Sequence, residues 1–256
     1  MSRSKQPPSL QKLLRRAIRG QARRPIAFVL AGHNGSGKST LWYRRFVGEL
    51  QIPLINADRL TLSILPSADR GQPLPPWAQR FRDNDERWQR LSQEAVEAFV
   101  SLVTEKRIPF AVETVFSHWR PRGDGTFESK ADLIRSLQQA GYFVVLVFVG
   151  LASAHLSVLR VLTRKAQGGH DVPLQKLYER FPRTQRAVGH AAPIADMTIM
   201  FDNSRSLRRA FELVRVQRGA EVLFDCRDTR YRTNERLKAI ASLWLNNVVG
   251  PFEAER

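Results

Sequence analysis

Five short, largely apolar stretches punctuate the chain: Ile26 to Ala31, Pro53 to Ala57, Ile108 to Val112, Phe143 to Gly150 and Ala195 to Phe201. Runs of this length, bounded by polar residues, predict strands buried on both faces. Three of them end in acidic or amide side chains: Asp58, Glu113 and the trio Asp202-Asn203-Ser204. Between them the apolar period changes from continuous to three and four residues apart, which predicts helices. Leu41, Trp42 and Phe46 keep that spacing, as do Leu237, Ile240, Leu243 and Trp244 near the C-terminus. Trp88, Leu91, Ala95, Phe99 and Leu102 form a stripe expected to pack on the core. Residues 129–140 and Leu156 to Lys165 read as further helices, the latter with Arg160 and Arg164 one turn apart.

The punctuation between elements is equally readable. Residues 64–76 are rich in proline and predict an irregular excursion, and Gly123-Asp124-Gly125 predicts a tight loop. The segment Gly168-Gly169-His170-Asp171-Val172-Pro173 ends one helix. Asp171 can cap the next, with Pro173 in its first turn, and that helix carries Arg180, Arg183 and Arg186. Phe211 to Val216 and Ala220 to Phe224, joined around Arg218-Gly219, predict a terminal hairpin. Strands alternating with helices predict an α/β fold, a three-layer α/β/α sandwich around a mostly parallel five-stranded sheet, with the hairpin and a last helix appended.

The chemistry enters at the end of the first strand. Gly32-His33-Asn34-Gly35-Ser36-Gly37-Lys38-Ser39-Thr40 reads G-x-x-x-x-G-K-S between a predicted strand and a predicted helix. In that context the glycines let the backbone curl, so that its N–H groups and the helix N-terminus face an anion. Lys38 can reach the β- and γ-phosphates, and the Ser39 hydroxyl can ligate Mg²⁺. The loop therefore implies a nucleoside triphosphate, taken here as ATP. Because open parallel sheets bind ligands beyond the carboxyl ends of their strands, Asp58 and Glu113 are expected near the phosphates. Asp58 reads equally well as a helix cap.

Length and charge refine this picture. With 256 residues and 43% hydrophobic composition the chain can bury one substantial core. It divides into residues 1–24, a basic extension, and residues 25–256, the catalytic domain. No apolar run approaches the roughly 18 residues of a membrane span. A single cysteine excludes an internal disulfide framework and fits a reducing compartment, so a cytoplasmic location is expected. The formal net charge is +17, and residues 1–24 carry eight Lys and Arg and no acid. Leu10, Leu13, Leu14, Ala17 and Ile18 share one helical face there, with basic residues on the other. Residues 10–19 thus read as a helix docked on the body, or as one making weak contact with a membrane surface. The five histidines are scattered and predict no metal site.

Several blocks in order resemble the zeta-toxin family of P-loop kinases, in particular its compact bacterial branch. They are the phosphate loop from Ala31 to Thr40, Ile55-Asn56-Ala57-Asp58, Val112 to Ser117, Gly141 to Gly150, Arg164 with Gly168 to Pro173, Arg180 to Arg183, and Asp202 to Ser204. The resemblance covers about residues 26–204. It implies ATP- and Mg²⁺-dependent phosphorylation of a hydroxyl on a nucleotide sugar such as UDP-N-acetylglucosamine, and an antitoxin protein as partner. It further implies Asp58 as catalytic base and Glu113, with Thr114, Ser117, His170 and Asp171, on the acceptor. Arg164, Arg180 and Arg183 match the arginines that neutralise the transferring phosphoryl group. The proline-rich 64–76 stretch and the Gly123-Asp124-Gly125 insertion depart from the family where acceptor contacts belong. Two alternatives stand beside this reading: a polynucleotide kinase, which the charge permits but the near absence of basic runs interleaved with aromatics disfavours, and a nucleotide-gated binding module, which would need neither carboxylate.

Overall fold

A computed structural model of the chain describes residues 5–19, 24–66, 74–166 and 172–251. In chain order it contains α1 (Leu10–Arg19), β1 (Ile26–Gly32), α2 (Lys38–Arg45), α3 (Val47–Leu50), β2 (Leu54–Ile55), α4 (Ala57–Ile64), α5 (Pro76–Asn84), α6 (Glu86–Glu105) and β3 (Phe110–Glu113). There follow β4 (Trp119–Pro121), β5 (Phe127–Ser129), α7 (Ala131–Gln139), β6 (Phe143–Gly150), α8 (Ala154–Ala166), α9 (Leu174–Ala191), β7 (Met197–Asp202), β8 (Glu212–Arg218), β9 (Glu221–Asp225) and α10 (Glu235–Val249).

Among the described residues the main sheet has the order β2-β3-β1-β6-β7-β8-β9. Its first five strands are parallel, as the interleaved pattern requires. Strand β6 is buried at every position because β1 and β7 flank it and helices cover it. Its register with β1 runs from Ile26↔Phe143 to Gly32↔Val149, which sets the phosphate loop directly beyond the sheet's centre. The terminal hairpin does not stand apart. Strand β8 pairs antiparallel with β7, so the sheet grows from the expected five strands to seven. A second hairpin, β4–β5, forms around Gly123-Asp124-Gly125, with Trp119 stacked on Phe127 at 4.4 Å.

Two helices use their apolar residues differently from the sequence reading. Helix α6 turns Val96, Val100 and Val103 toward the core, and Leu91, Phe99 and Leu102 stay exposed. Its apolar residues cover more than one face, and the β-branched side, which packs close to the sheet, is the one buried. Helix α1 places Leu14, 2% exposed, in the same core as β1, with Leu10 and Leu13 packed beside it. Lys5 bridges to Tyr231, and Gln11 donates to Glu49. The apolar face of residues 10–15 is therefore turned onto the body. Of the two readings of residues 10–19, this packing is that of a helix docked on the body. Among the described residues, no helix is long and apolar enough to cross a membrane.

At the far edge, Asp225 is fully buried and paired with Arg215 at 2.6 Å and Arg227 at 2.7 Å. Arg227 also donates to Asn246 and to the Gly250 carbonyl, tying α10 to β9. Cys226 beside it is an inert thiol, pushed up to about 12 by burial first and by the Asp225 charge second.

Candidate active site

The phosphate loop is built by close approach. Gly37 has φ of 90°, and a Cβ there would lie 2.9 Å from the Asn203 amide and 3.2 Å from the Phe211 ring. At Gly32 a Cβ would meet Ser36 Oγ at 2.7 Å and the Val149 carbonyl at 2.9 Å. Only glycine fits either position. From outside, Asn203 Nδ2 donates to the Ser36 carbonyl at 2.8 Å and Ser157 Oγ to the Asn34 carbonyl at 2.7 Å. Arg160 in turn donates to the Asn203 carbonyl. Asp202 fixes this wall by accepting from Trp244 Nε1 at 3.0 Å and from Ser204. The loop is thus held by side chains of α8 and of the segment after β7.

His33 takes no part through its ring. It is 2% exposed, stacks on Phe181 at 3.9 Å and meets Phe148 edge-on, and neither ring nitrogen has a partner. Burial first and the Lys38 charge second push its pKa down to about 3, so the imidazole is neutral. What it offers is its carbonyl, which accepts from Lys38 Nζ at 3.1 Å alongside that of Gly32 at 3.2 Å.

Lys38 is the point on which the charges converge. Its amine is buried, 3.9 Å from Glu113 Oε1, and burial is the largest influence, lowering its pKa. Glu113 and Asp58 oppose that shift, while Arg164 adds to it. Both strand-end carboxylates and one predicted arginine therefore lie within electrostatic reach of the lysine. Glu113 is held more firmly still: its Oε2 accepts from Ser39 Oγ at 2.8 Å and from Asn56 Nδ2 at 2.7 Å. Asn56 also accepts from the Arg59 N–H, capping the helix whose first turn carries Asp58. One amide fixes both carboxylates relative to each other.

The remaining predicted residues divide. Thr114 continues from Glu113, its N–H donating to the Leu30 carbonyl. Ser117 follows Phe116, which is buried with a positive φ of 64°. Arg180 lines a crevice against His33, Asn34 and Phe181, half-buried, with its pKa lowered by desolvation and then by Arg183. Arg183 points elsewhere: it is exposed and paired with Glu179 at 3.3 Å, one turn away. His170 and Asp171 lie outside the described residues. The sequence reading missed Asn56, Asn203, Arg160 and Phe181. The first two adjoin residues that were singled out, and polar side chains at strand ends beside the loop were the available signal.

The donors around Ser39 suit a hard cation. The serine hydroxyl and the Glu113 carboxylate it contacts are oxygen ligands of the kind Mg²⁺ takes. Among the described residues, no group of three or more His, Cys, Asp or Glu side chains is arranged to hold a metal. Mg²⁺ commonly takes only one or two protein oxygens and completes its shell with phosphates and water.

A parallel sheet with a glycine-rich loop between its first strand and a helix, a lysine at that loop's end, a carboxylate at the end of β3 and another in the first turn of α4 defines a P-loop protein of the kinase type. The zeta toxin profile matches residues 11–223, and the chain belongs to that family. No curated protein matches it. Among solved structures it is similar to the PezAT chromosomal toxin–antitoxin system of Streptococcus pneumoniae, with 16% identity and a TM-score of 0.53 over 97% of this chain and 92% of that one. It is also similar to the AvrRxo1-ORF1:AvrRxo1-ORF2 structure with sulphate ions, with 14% identity and a TM-score of 0.56 over 94% and 84%. The corresponding structure with ATP gives 13% identity and a TM-score of 0.54 over the same shares. At these identities the likeness is one of fold.

Proposed function

We propose that the chain is an ATP-dependent kinase that transfers the γ-phosphoryl group to a hydroxyl of a small molecule, a nucleotide sugar such as UDP-N-acetylglucosamine. The observation that carries this reading is Glu113 held against Lys38 and Ser39 by the Asn56 amide that also caps the helix bearing Asp58, because binding a triphosphate alone requires neither carboxylate. Phosphoryl transfer asks mainly for positioning and for charge stabilisation. The loop N–H groups and Lys38 bind the β- and γ-phosphates. Ser39 would hold Mg²⁺, which would supply charge neutralisation at the phosphates when bound. Asp58 accepts the acceptor's proton. Glu113, oriented by Ser39 and Asn56, binds the acceptor, with Thr114 and Ser117 beside it. Arg164 and Arg180 stabilise the charge that spreads in the transition state. Arg183 would have to leave Glu179 to join them, so it is the weakest of the three assignments.

As a zeta toxin, such a kinase would act in the cytoplasm on a metabolite the cell cannot spare, and would be restrained by an antitoxin protein. The matched structures of toxin–antitoxin and two-protein complexes support a protein partner, and the basic surface suits an acidic one. The test compares two variants on nucleotide binding and on ATP consumption with a panel of nucleotide sugars. Asp58→Asn keeps ATP·Mg binding and loses turnover by roughly 10²–10⁴-fold, the range for a general base. Lys38→Ala loses both, since its charge meets phosphate in the ground and transition states alike. Full turnover in Asp58→Asn would remove the base assignment.

A further inference from the structure

Helix α6 carries apolar residues on two faces, and the body of the protein uses one of them. Val96, Val100 and Val103 pack on the core. Leu91, Phe99 and Leu102 lie on the other side, 57%, 47% and 49% exposed. With Ala95 and Ala98 between them they stand at i, i+4, i+7, i+8 and i+11, a continuous stripe along the helix. Large apolar side chains grouped in this way mark an interaction surface. We propose that the stripe is the interface between two copies of this chain, with α6 packed antiparallel on α6 about a two-fold axis. None of these residues belongs to the site described above.

Charge argues for a second copy. A formal net charge of +17 makes two chains repel over most of their surface. Helix α6 is where they repel least, because Glu86, Glu94, Glu97 and Glu105 outnumber Arg87 and Arg90. The charges bordering the stripe are also sorted along the helix. On one side Arg87 comes first and Glu94 and Glu105 follow, with Arg90 just behind them, all exposed. An antiparallel pair brings the arginines of one copy to Glu105 of the other, whereas a parallel pair sets like charge against like.

The same residues define a register. With Leu91 opposite Leu102 of the second copy, Ala95 falls opposite its Ala98, and these small side chains let the helices approach at the centre. Arg87 then lies one residue, about 1.5 Å of helical rise, from the point opposite Glu105 of the second copy. Two-fold symmetry repeats that pair at the other end. Glu105 is held within its own chain by Lys106 at 2.8 Å, an exposed pair of small value that pairing can exchange. Stable interfaces bury about 1,200–2,000 Å². Two helices of 20 residues, each about 30 Å long, fall at the lower end of that range, so association of about micromolar strength is expected.

The test follows the mass of the full chain by sedimentation equilibrium from about 1 μM to several hundred micromolar. The wild-type chain should pass from monomer to dimer. Leu91→Glu and Leu102→Glu, at exposed positions, should each weaken pairing at least about tenfold. Arg87→Glu lowers the net charge, so general repulsion alone would tighten pairing, whereas the proposed contact predicts that it weakens. Adding Glu105→Arg to Arg87→Glu should restore it. Orientation is read by cross-linking: under a mild oxidant, Leu91→Cys chain mixed with Leu102→Cys chain should form a mixed disulfide faster than either forms one with itself. Cys226 is buried and does not compete. Wild-type pairing in Leu91→Glu, tighter pairing in Arg87→Glu, or self-cross-linking as fast as mixed cross-linking would overturn the proposal. A chain that stays monomeric at every concentration would overturn it too and leave the stripe to a partner of another kind.

Discussion

Asn56 joins the fold to the chemistry, and its replacement separates the two contributions. The residue is 6% exposed, and its amide makes two contacts at once: Oδ1 accepts from Arg59 N–H at 3.1 Å and Nδ2 donates to Glu113 Oε2 at 2.7 Å. Losing an N-cap costs about 1 kcal/mol, and a hydrogen bond to a charged group contributes about 1.5–3 kcal/mol. Asn56→Ala removes both and should destabilise by about 3 kcal/mol. For a chain of this size that lowers the melting temperature by roughly 6–12 °C. Asn56→Asp should behave differently. Aspartate caps as well as asparagine does, but it sets a second carboxylate against Glu113 where a donor stood. That variant should keep most of the helix stability and still lose turnover, because Glu113 is pushed from its place beside Ser39. Thermal melts with parallel ATP-consumption assays provide the check. Wild-type turnover in Asn56→Asp, or an unchanged melting temperature in Asn56→Ala, would refute the view that this amide fixes the two carboxylates.

Other outcomes follow from the same geometry. Leu14→Ala should cost about 2–5 kcal/mol, as for other buried leucines, and chain lacking residues 1–24 should melt earlier while ATP·Mg still raises its melting temperature. A truncated chain as stable as the intact one would show that α1 contributes nothing to the core. His33 gives a pH signature. Its folded pKa of about 3 lies below its ordinary value of 6.5, so below pH 6.5 the unfolded chain takes up a proton that the folded chain does not. Stability from this residue is complete above pH 6.5 and falls by about 1.4 kcal/mol per unit as pH drops toward 3. His33→Phe keeps an aromatic ring against Phe181 and should flatten that part of the urea-midpoint profile between pH 4 and 6.5. An unchanged slope would show that His33 is not the group responsible.

What the sequence made legible follows physical signals of different strength. Continuous apolar runs identified the five parallel strands because a strand buried on both faces leaves no polar period to misread. The loop from Gly32 to Thr40 was legible because backbone curvature, lysine and hydroxyl must occur at fixed spacing. Helix α6 was misjudged because periodicity shows that a stripe exists and not which of two apolar faces meets the sheet. The β4–β5 hairpin was missed because three-residue strands carry too little pattern. At the site, Asp58, Glu113 and Lys38 could be named from their positions at strand ends and in the loop. The roles of Asn56, Asn203 and Arg160 were not legible, since their work is to hydrogen-bond residues 57, 167 and 43 positions away. Arg183 stood beside Arg164 and Arg180 as a candidate in sequence, and the fold shows it paired with Glu179 on the surface.

The central claim, that Asp58 and Lys38 bring about phosphoryl transfer to a small hydroxyl acceptor, is tested most directly by following the phosphate itself. The full chain is incubated with Mg²⁺ and ATP labelled at the γ-phosphoryl group, together with nucleotide sugars including UDP-N-acetylglucosamine, and the products are resolved by mass spectrometry. The account predicts a labelled nucleotide sugar carrying one added phosphoryl group, formed by the wild-type chain and nearly absent with Asp58→Asn. Label appearing only in free phosphate or on oligonucleotide ends, or in equal amount with Asp58→Asn, would contradict it.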